Sequence, residues 1–332
     1  MDDVTRDRFT FSNFRLESGE VLPEVTIAYC TRGELAPDGR NAVLVTHGYT
    51  SGHQMIEPTG TSSEGSWTTL VGPGAPVDTG RNYVVASNML GSSFGSTNAS
   101  FTDPRTGKRY GSRFPRITVH DIVTAQYRLL QHLGVKHLRA VVGPSYGGFQ
   151  AFQWAVSYPD FMDAIVPVVT APKARLNATA DTQARFERDP DWHGGDYYDT
   201  QGGMRETMIA LRADTLRRYG MADEAAILRA AGQWASVFDA NSLLILGHAM
   251  ESYDVTGRLG RIKVPVLYVL SRTDALFPPQ NAPAVMQALR DAGVDASYFE
   301  IDSDKGHLAS GADAAKWAPA LREFMRRVGA SA

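Results

Sequence analysis

The chain has 332 residues, 43% hydrophobic and 21% charged, with a formal net charge of -3 and a pI of about 6.2. That composition suits one large α/β domain, or one domain with a sizeable insertion. It excludes a basic nucleic-acid-binding surface, and the single cysteine, Cys30, excludes intrachain disulfides and C-x-x-C metal sites.

The opening stretch, "MDDVTRDRFT", is charged and lacks the apolar core of a signal peptide. No apolar run approaches bilayer-spanning length, so no membrane partner is expected and the expected compartment is the cytoplasm. "RFTFSNF" and "EVTIAYC" read as early strands rich in β-branched and aromatic residues, with Cys30 a small buried residue of the second. "AVLVT" and "YVVASN" read as short buried strands.

"TVHDIVTAQYRLLQHLG" then reads as a helix. Thr118 with Asp121 gives a capping-box start, and Gly134 gives a stop. Val119, Ile122, Val123, Leu129, Leu130 and Leu133 fall on one face. "LRAVVG" is the next strand, followed by a helix from about Gly147 to Tyr158 and the strand "DAIVPVV". "VPVLYVL" and "ASYFEID" bracket the helix "APAVMQALRDAG", and an amphipathic helix ends the chain.

Short apolar strands alternating with helices predict an α/β fold, a mostly parallel sheet covered on both faces. The alternation stops between about Pro172 and Gly260, where the pattern is helical. The expected organisation is an α/β core over 1–172 and 261–332, with a helical lid inserted over 173–260.

The stretch "VVGPSYGGFQ" places Ser145 between Gly143 and Gly147, after an apolar strand and before a helix. That is the nucleophile-elbow pattern. The turn is so tight that residues two positions either side of the serine must be tiny. It holds the serine oxygen at a helix N-terminus, where backbone N–H groups can receive negative charge.

A serine hydroxyl needs a base, and the base needs an acid to orient it. The fold's usual order is Ser, then Asp or Glu, then His. His307, in "DSDKGHLASG" after the last strand, suits the base. Asp274, in "SRTDALFPP" after the strand before it, suits the acid, with Asp302 and Asp304 as rivals. An oxyanion hole would take the N–H of Tyr146 and, from "VTHGYTS", that of Tyr49, while His47 is given no catalytic role. No zincin motif and no P-loop lysine appear, so no metal and no cofactor is expected.

These residues and their setting resemble the homoserine O-acetyltransferase family of α/β-hydrolases. The likeness runs through "GPGAPVDTGRNYVVASNMLGSSFGST", the long stretch around the elbow, "DPDWHGGDYY", "FDANSLLILGHAMESYD" and "SRTDALFPP". The resemblance implies a Ser145–Asp274–His307 triad, a helical lid over a deep tunnel, and a homodimer formed through the lids.

The chain also departs from the pattern. Family transferases carry Gly-His-Asp near the end, and that aspartate binds the amino group of homoserine; here Leu308 follows His307. They also use a lid arginine for the carboxylate, for which Arg205, Arg212, Arg217 and Arg218 all remain candidates. The elbow reads Pro-Ser-Tyr rather than Gly-Ser followed by Met or Phe. A zwitterion deprived of its partners is costly to bind. The sequence therefore favours a serine esterase acting on short acyl esters, with Leu308 a substrate-pocket candidate. The alternative is an O-acetyltransferase moving acetyl from acetyl-CoA to homoserine or another hydroxyl. A non-catalytic binding protein on the same fold is the third reading.

Overall fold

The computed structural model describes residues 4–58, 66–174 and 179–331. Its centre is an eight-stranded sheet. In chain order the strands are β1 (Thr5–Arg15), β2 (Val21–Arg32), β3 (Ala42–Thr46), β4 (Tyr83–Ser87), β5 (Leu138–Pro144), β6 (Ile165–Val168), β7 (Val266–Ser271) and β8 (Ala296–Ile301). Their spatial order is β1-β2-β4-β3-β5-β6-β7-β8, and β2 runs antiparallel to both its neighbours. From β4 to β8 every pairing is parallel.

The alternation of side chains explains why the central strands read as unbroken apolar runs. Leu44, Val85, Val141 and Ile165 join the core on one face, while Val43, Val45, Val84 and Val142 join the core on the other. Helices α1 (Val119–His132), α2 (Tyr146–Ser157) and α7 (Ala282–Asp291) supply the first core with Ile122, Leu129, Phe152 and Leu289. The C-terminal helix α8 (Ala314–Ser331) covers the second with Trp317, Leu321 and Phe324. Both faces of a parallel sheet are thus removed from water.

Helix α1 begins as its sequence predicts. The Asp121 N–H donates to Thr118 Oγ1 at 3.1 Å, and the Thr118 N–H donates back to Asp121 at 2.9 Å. The same aspartate accepts from the Glu17 N–H at 2.8 Å, tying the helix start to the turn between β1 and β2. Gly134 ends the helix with φ of 80°.

Between β6 and β7 the described chain forms four helices, α3 (Thr179–Glu187), α4 (Arg205–Arg218), α5 (Glu224–Ala235) and α6 (Ala240–Glu251). None of the described helices is long and apolar enough to cross a membrane.

The chain reverses its direction of travel across the sheet between β4 and β5, which lie on opposite sides of β3. Loops at the C-terminal ends of β3 and β5 therefore meet, and such a crevice is where open α/β sheets place their sites.

The capping box gives a direct check on the start of α1. Thr118→Ala should lower stability by about 1 kcal/mol in urea denaturation, the usual cost of a lost N-cap. An unchanged midpoint would show that Thr118 is not holding the helix end.

Candidate active site

Ser145 sits between β5 and α2 with φ 56° and ψ -119°, a conformation that non-glycine residues seldom adopt. Its neighbours hold it there. The Ser145 N–H donates to Val168 O at 2.8 Å, and the Thr170 hydroxyl donates to Ser145 O at 2.8 Å. Thr46 at the end of β3 donates from its hydroxyl to Gly147 O at 2.9 Å.

The glycines around the serine are sterically required. A Cβ on Gly143 would lie 2.0 Å from Thr46 Oγ1, and one on Gly147 would lie 2.4 Å from Thr46 O. A Cβ on Gly148 would lie 2.2 Å from Thr170 Cγ2. Backbone strain of this kind persists only where the surroundings over-determine it.

Asp274 and His307 come together, each almost fully buried. His307 Nδ1 lies 2.8 Å from Asp274 Oδ2. The other carboxylate oxygen of Asp274 accepts from the N–H groups of Leu276 at 2.8 Å and Phe277 at 3.2 Å. Burial works against the charge on Asp274, but His307 and these N–H donors outweigh it and hold the carboxyl below its usual range. The rival acids are elsewhere: Asp302 is exposed and paired with Arg272, and Asp304 is exposed beside Lys305.

His307 occupies a tight 3-10 turn, Gly306–Leu308, rather than an open loop. Gly306 has φ of 56°, and a Cβ there would lie 2.9 Å from Tyr219 O. The Tyr219 ring packs 4.8 Å from the His307 ring, with Phe277 on another side at 5.7 Å. His307 Nε2 is buried and makes no hydrogen bond among the described residues, to Ser145 or any other group. Such contacts are commonly long without substrate and tighten when it binds.

The loop after β3 is fixed from below by His47. Its Nδ1 lies 2.8 Å from Gly48 O, its Nε2 accepts from the Met89 N–H at 3.0 Å, and its carbonyl accepts from Gln150. This is a structural role. Tyr49 follows in the same loop, and Tyr146 opens α2. Among the described residues neither backbone N–H donates to a protein acceptor.

Tyr49, Ser145 and Tyr146 line one cavity of about 420 Å³, together with Tyr219 and Phe277. Arg188 and Arg218 stand exposed on its rim. Leu308 does not line this cavity. It lines a second one of about 840 Å³, with Thr50, Arg212, Leu216 and Trp234. Among the described residues no cluster of His, Cys, Asp and Glu could hold a metal ion.

Of the four arginines that the sequence leaves as candidates, Arg212 is the buried one. It is only 2% exposed, donates to Thr50 Oγ1 at 2.8 Å, and lies over the rings of Trp234 at 5.3 Å and Tyr219 at 5.8 Å. A signal was present: Met208, Arg212 and Leu216 follow one another at i, i+4 and i+8, so the arginine falls on the buried face of α4.

A model of the α/β-hydrolase fold matches residues 41–312. The homoserine O-acetyltransferase of Carboxydothermus hydrogenoformans is 33% identical, over 98% of this chain and 96% of that protein. That of Haemophilus influenzae is 36% identical, over 88% of this chain and 90% of that protein. The chain belongs to the homoserine O-acetyltransferase family of α/β-hydrolases. It is an enzyme of that superfamily.

Two solved structures show how widely the fold of this α/β-hydrolase is shared. Homoserine O-acetyltransferase from Bacillus anthracis superposes with a TM-score of 0.86 at 24% identity, covering 98% of each chain. An acetylester hydrolase from Corynebacterium glutamicum superposes with a TM-score of 0.80, also at 24% identity, covering 97% of this chain and 96% of that one.

Two buried histidines near the loop after β3 predict acid sensitivity. Burial drives His47 down to about 3 and His53 down to about 4, from an ordinary 6.5. Both folded values lie below the unfolded one, so the unfolded chain binds protons that the folded one rejects. Stability should be full above the ordinary histidine range and fall as pH drops below it, by about 1.4 kcal/mol per pH unit per histidine. His53→Gln should remove about half of that slope in urea midpoints measured from about pH 7 to pH 5. An unchanged slope would contradict the assignment.

Proposed function

We propose that this hydrolase-fold enzyme transfers a short acyl group, acetyl first, from a thioester such as acetyl-CoA through Ser145 to the hydroxyl of an acceptor that carries a carboxylate. Homoserine is the first acceptor to test. Arg212 carries this reading. A guanidinium set in the wall of the second cavity, over the Tyr219 ring that also packs on His307, offers a carboxylate planar, charge-assisted recognition that a simple ester does not need. The names of the full-length relatives support the same reaction class. Arg188 and Arg218 on the rim of the other cavity suit an anionic donor.

In this reading Ser145 Oγ attacks the thioester carbonyl while His307 Nε2 takes its proton. The N–H groups of Tyr49 and Tyr146 receive the charge that develops on the carbonyl oxygen. The carbon–sulfur bond breaks, and the thiol leaves with the proton from His307. The acceptor hydroxyl then gives its proton to His307 and attacks the acyl-enzyme. The new ester departs, and Ser145 regains its proton. Asp274, held ionised, orients the imidazole and stabilises its charged form. The inserted helices α3–α6 act as the lid of the 173–260 insertion.

Leu308 favours a second reading, in which water attacks the acyl-enzyme. An apolar side chain beside His307 offers an ammonium group no partner, so a zwitterionic acceptor would compete poorly with water. The two readings share the acyl-enzyme and differ in the acceptor.

Acceptor-dependent release of thiol from acetyl-CoA separates them. We expect release to rise with homoserine or with a hydroxy acid lacking the amino group. Arg212→Met should raise the acceptor KM by about 10-fold or more while leaving hydrolysis of a neutral acetate ester within about twofold. Leu308→Asp should increase homoserine transfer relative to ester hydrolysis by about 10-fold. Thiol release indifferent to every acceptor, together with fast ester hydrolysis, would sink the transferase reading in favour of the esterase.

A further inference from the structure

The tyrosine after Ser145, one of the departures from the family pattern, has a side chain with no part in the proposed reaction. It is buried, and its hydroxyl donates to Leu246 O at 3.2 Å, in the middle of α6. Tyr49 does the same one turn earlier, donating from its hydroxyl to Leu243 O at 2.5 Å. The two rings lie nearly parallel, 8° apart in plane with centroids at 6.0 Å. Both residues carry the backbone N–H groups assigned to the oxyanion, and both reach the same inserted helix.

The helix is shaped to receive them. A Cβ on Gly247 would lie 3.1 Å from the Tyr49 hydroxyl and 2.6 Å from Thr179 Oγ1, so the absent side chain lets α6 come this close. Its N-terminus is fixed separately: the Asp239 carboxylate accepts from the Ser242 N–H at 2.8 Å and from the Tyr197 hydroxyl. A carbonyl oxygen has two lone pairs, so Leu243 and Leu246 can accept from a tyrosine while serving the helix. Burial drives both phenols up, out of reach of ordinary titration, so they stay donors across the working pH range.

We propose that Tyr49 and Tyr146 are positioning residues whose hydroxyls clamp α6 to the oxyanion loop and the elbow, so that the two N–H donors reach their working geometry only when α6 is docked. The inference rests on Ser145 being the nucleophile. It makes the inserted helix part of transition-state stabilisation as well as a cover.

Tyr49→Phe and Tyr146→Phe test it, because each keeps the ring and the backbone N–H and removes only the hydroxyl. Three readouts are taken on the full-length protein: kcat and KM for p-nitrophenyl acetate, affinity for a trifluoromethyl ketone that forms a tetrahedral adduct with the serine, and thermal midpoint. Each variant should lose about 10-fold in kcat with KM within about twofold, and adduct affinity should fall in parallel. The double variant should lose less than the product of the single losses, since both hydroxyls hold one helix. Gly247→Ala, which pushes α6 away from Tyr49 by a different route, should reproduce the kcat loss if a phenylalanine variant fails to fold.

Unchanged kcat and adduct affinity in the folded variants, with only the thermal midpoint lowered, would reduce the tyrosines to structural anchors and overturn the proposal. Full activity in Ser145→Ala would instead overturn the reading on which it rests, so the two failures are distinguishable.

Discussion

The close approach of the Ser145 turn to the end of β3 is the constraint on which the rest of the site depends. Thr46 fills the space that a Cβ on Gly143 or Gly147 would need, and Thr170 fills the space beside Gly148. The serine is thereby held at φ 56° at the N-terminus of α2. Tyr146, whose N–H is proposed as one oxyanion donor, is its neighbour in sequence. Tyr49, proposed as the second donor, is brought in because β3 lies next to β5 in the sheet. Releasing the turn would cost Ser145 its orientation and would separate Tyr49 from Tyr146.

Asp274 and His307, the proposed acid and base, arrive by a different route. Asp274 follows β7 and His307 follows β8, so the parallel sheet delivers both to the edge where the elbow lies. Two backbone N–H groups and the imidazole secure Asp274 in its buried position. Packing of Tyr219 and Phe277 on the imidazole fixes its plane. The helices between β6 and β7 therefore reach these residues from two sides, through Tyr219 at the end of α4 and through α6 against Tyr49 and Tyr146.

The core of the fold was legible because its central strands are short and apolar and alternate with helices, of which α1 carries a full capping box. The Thr118–Asp121 box and the stop at Gly134 are local signals, and the structure follows them. The elbow was legible for the same reason, since a strand, a tight turn and a helix leave a continuous pattern. Arg212 was harder to read, because four arginines crowd α4 and only the spacing of Met208, Arg212 and Leu216 separates the one that faces inward. The role of the Tyr146 side chain was hidden too, because its partner is a backbone carbonyl about 100 residues away, and no side-chain pattern announces a carbonyl. Leu308 was legible as a departure, but the sequence could not assign it to a cavity that Ser145 does not line.

The central claim is that Ser145 carries the acyl group between donor and acceptor. Intact-mass and peptide analysis of the protein, quenched in acid after brief mixing with acetyl-CoA or an acetyl ester, tests it most directly. The account predicts one added acetyl group, located on the peptide that contains Ser145, absent from Ser145→Ala and lost when acceptor is supplied. Turnover of the donor with no acetyl group on that peptide, or with the modification undiminished in Ser145→Ala, would contradict it.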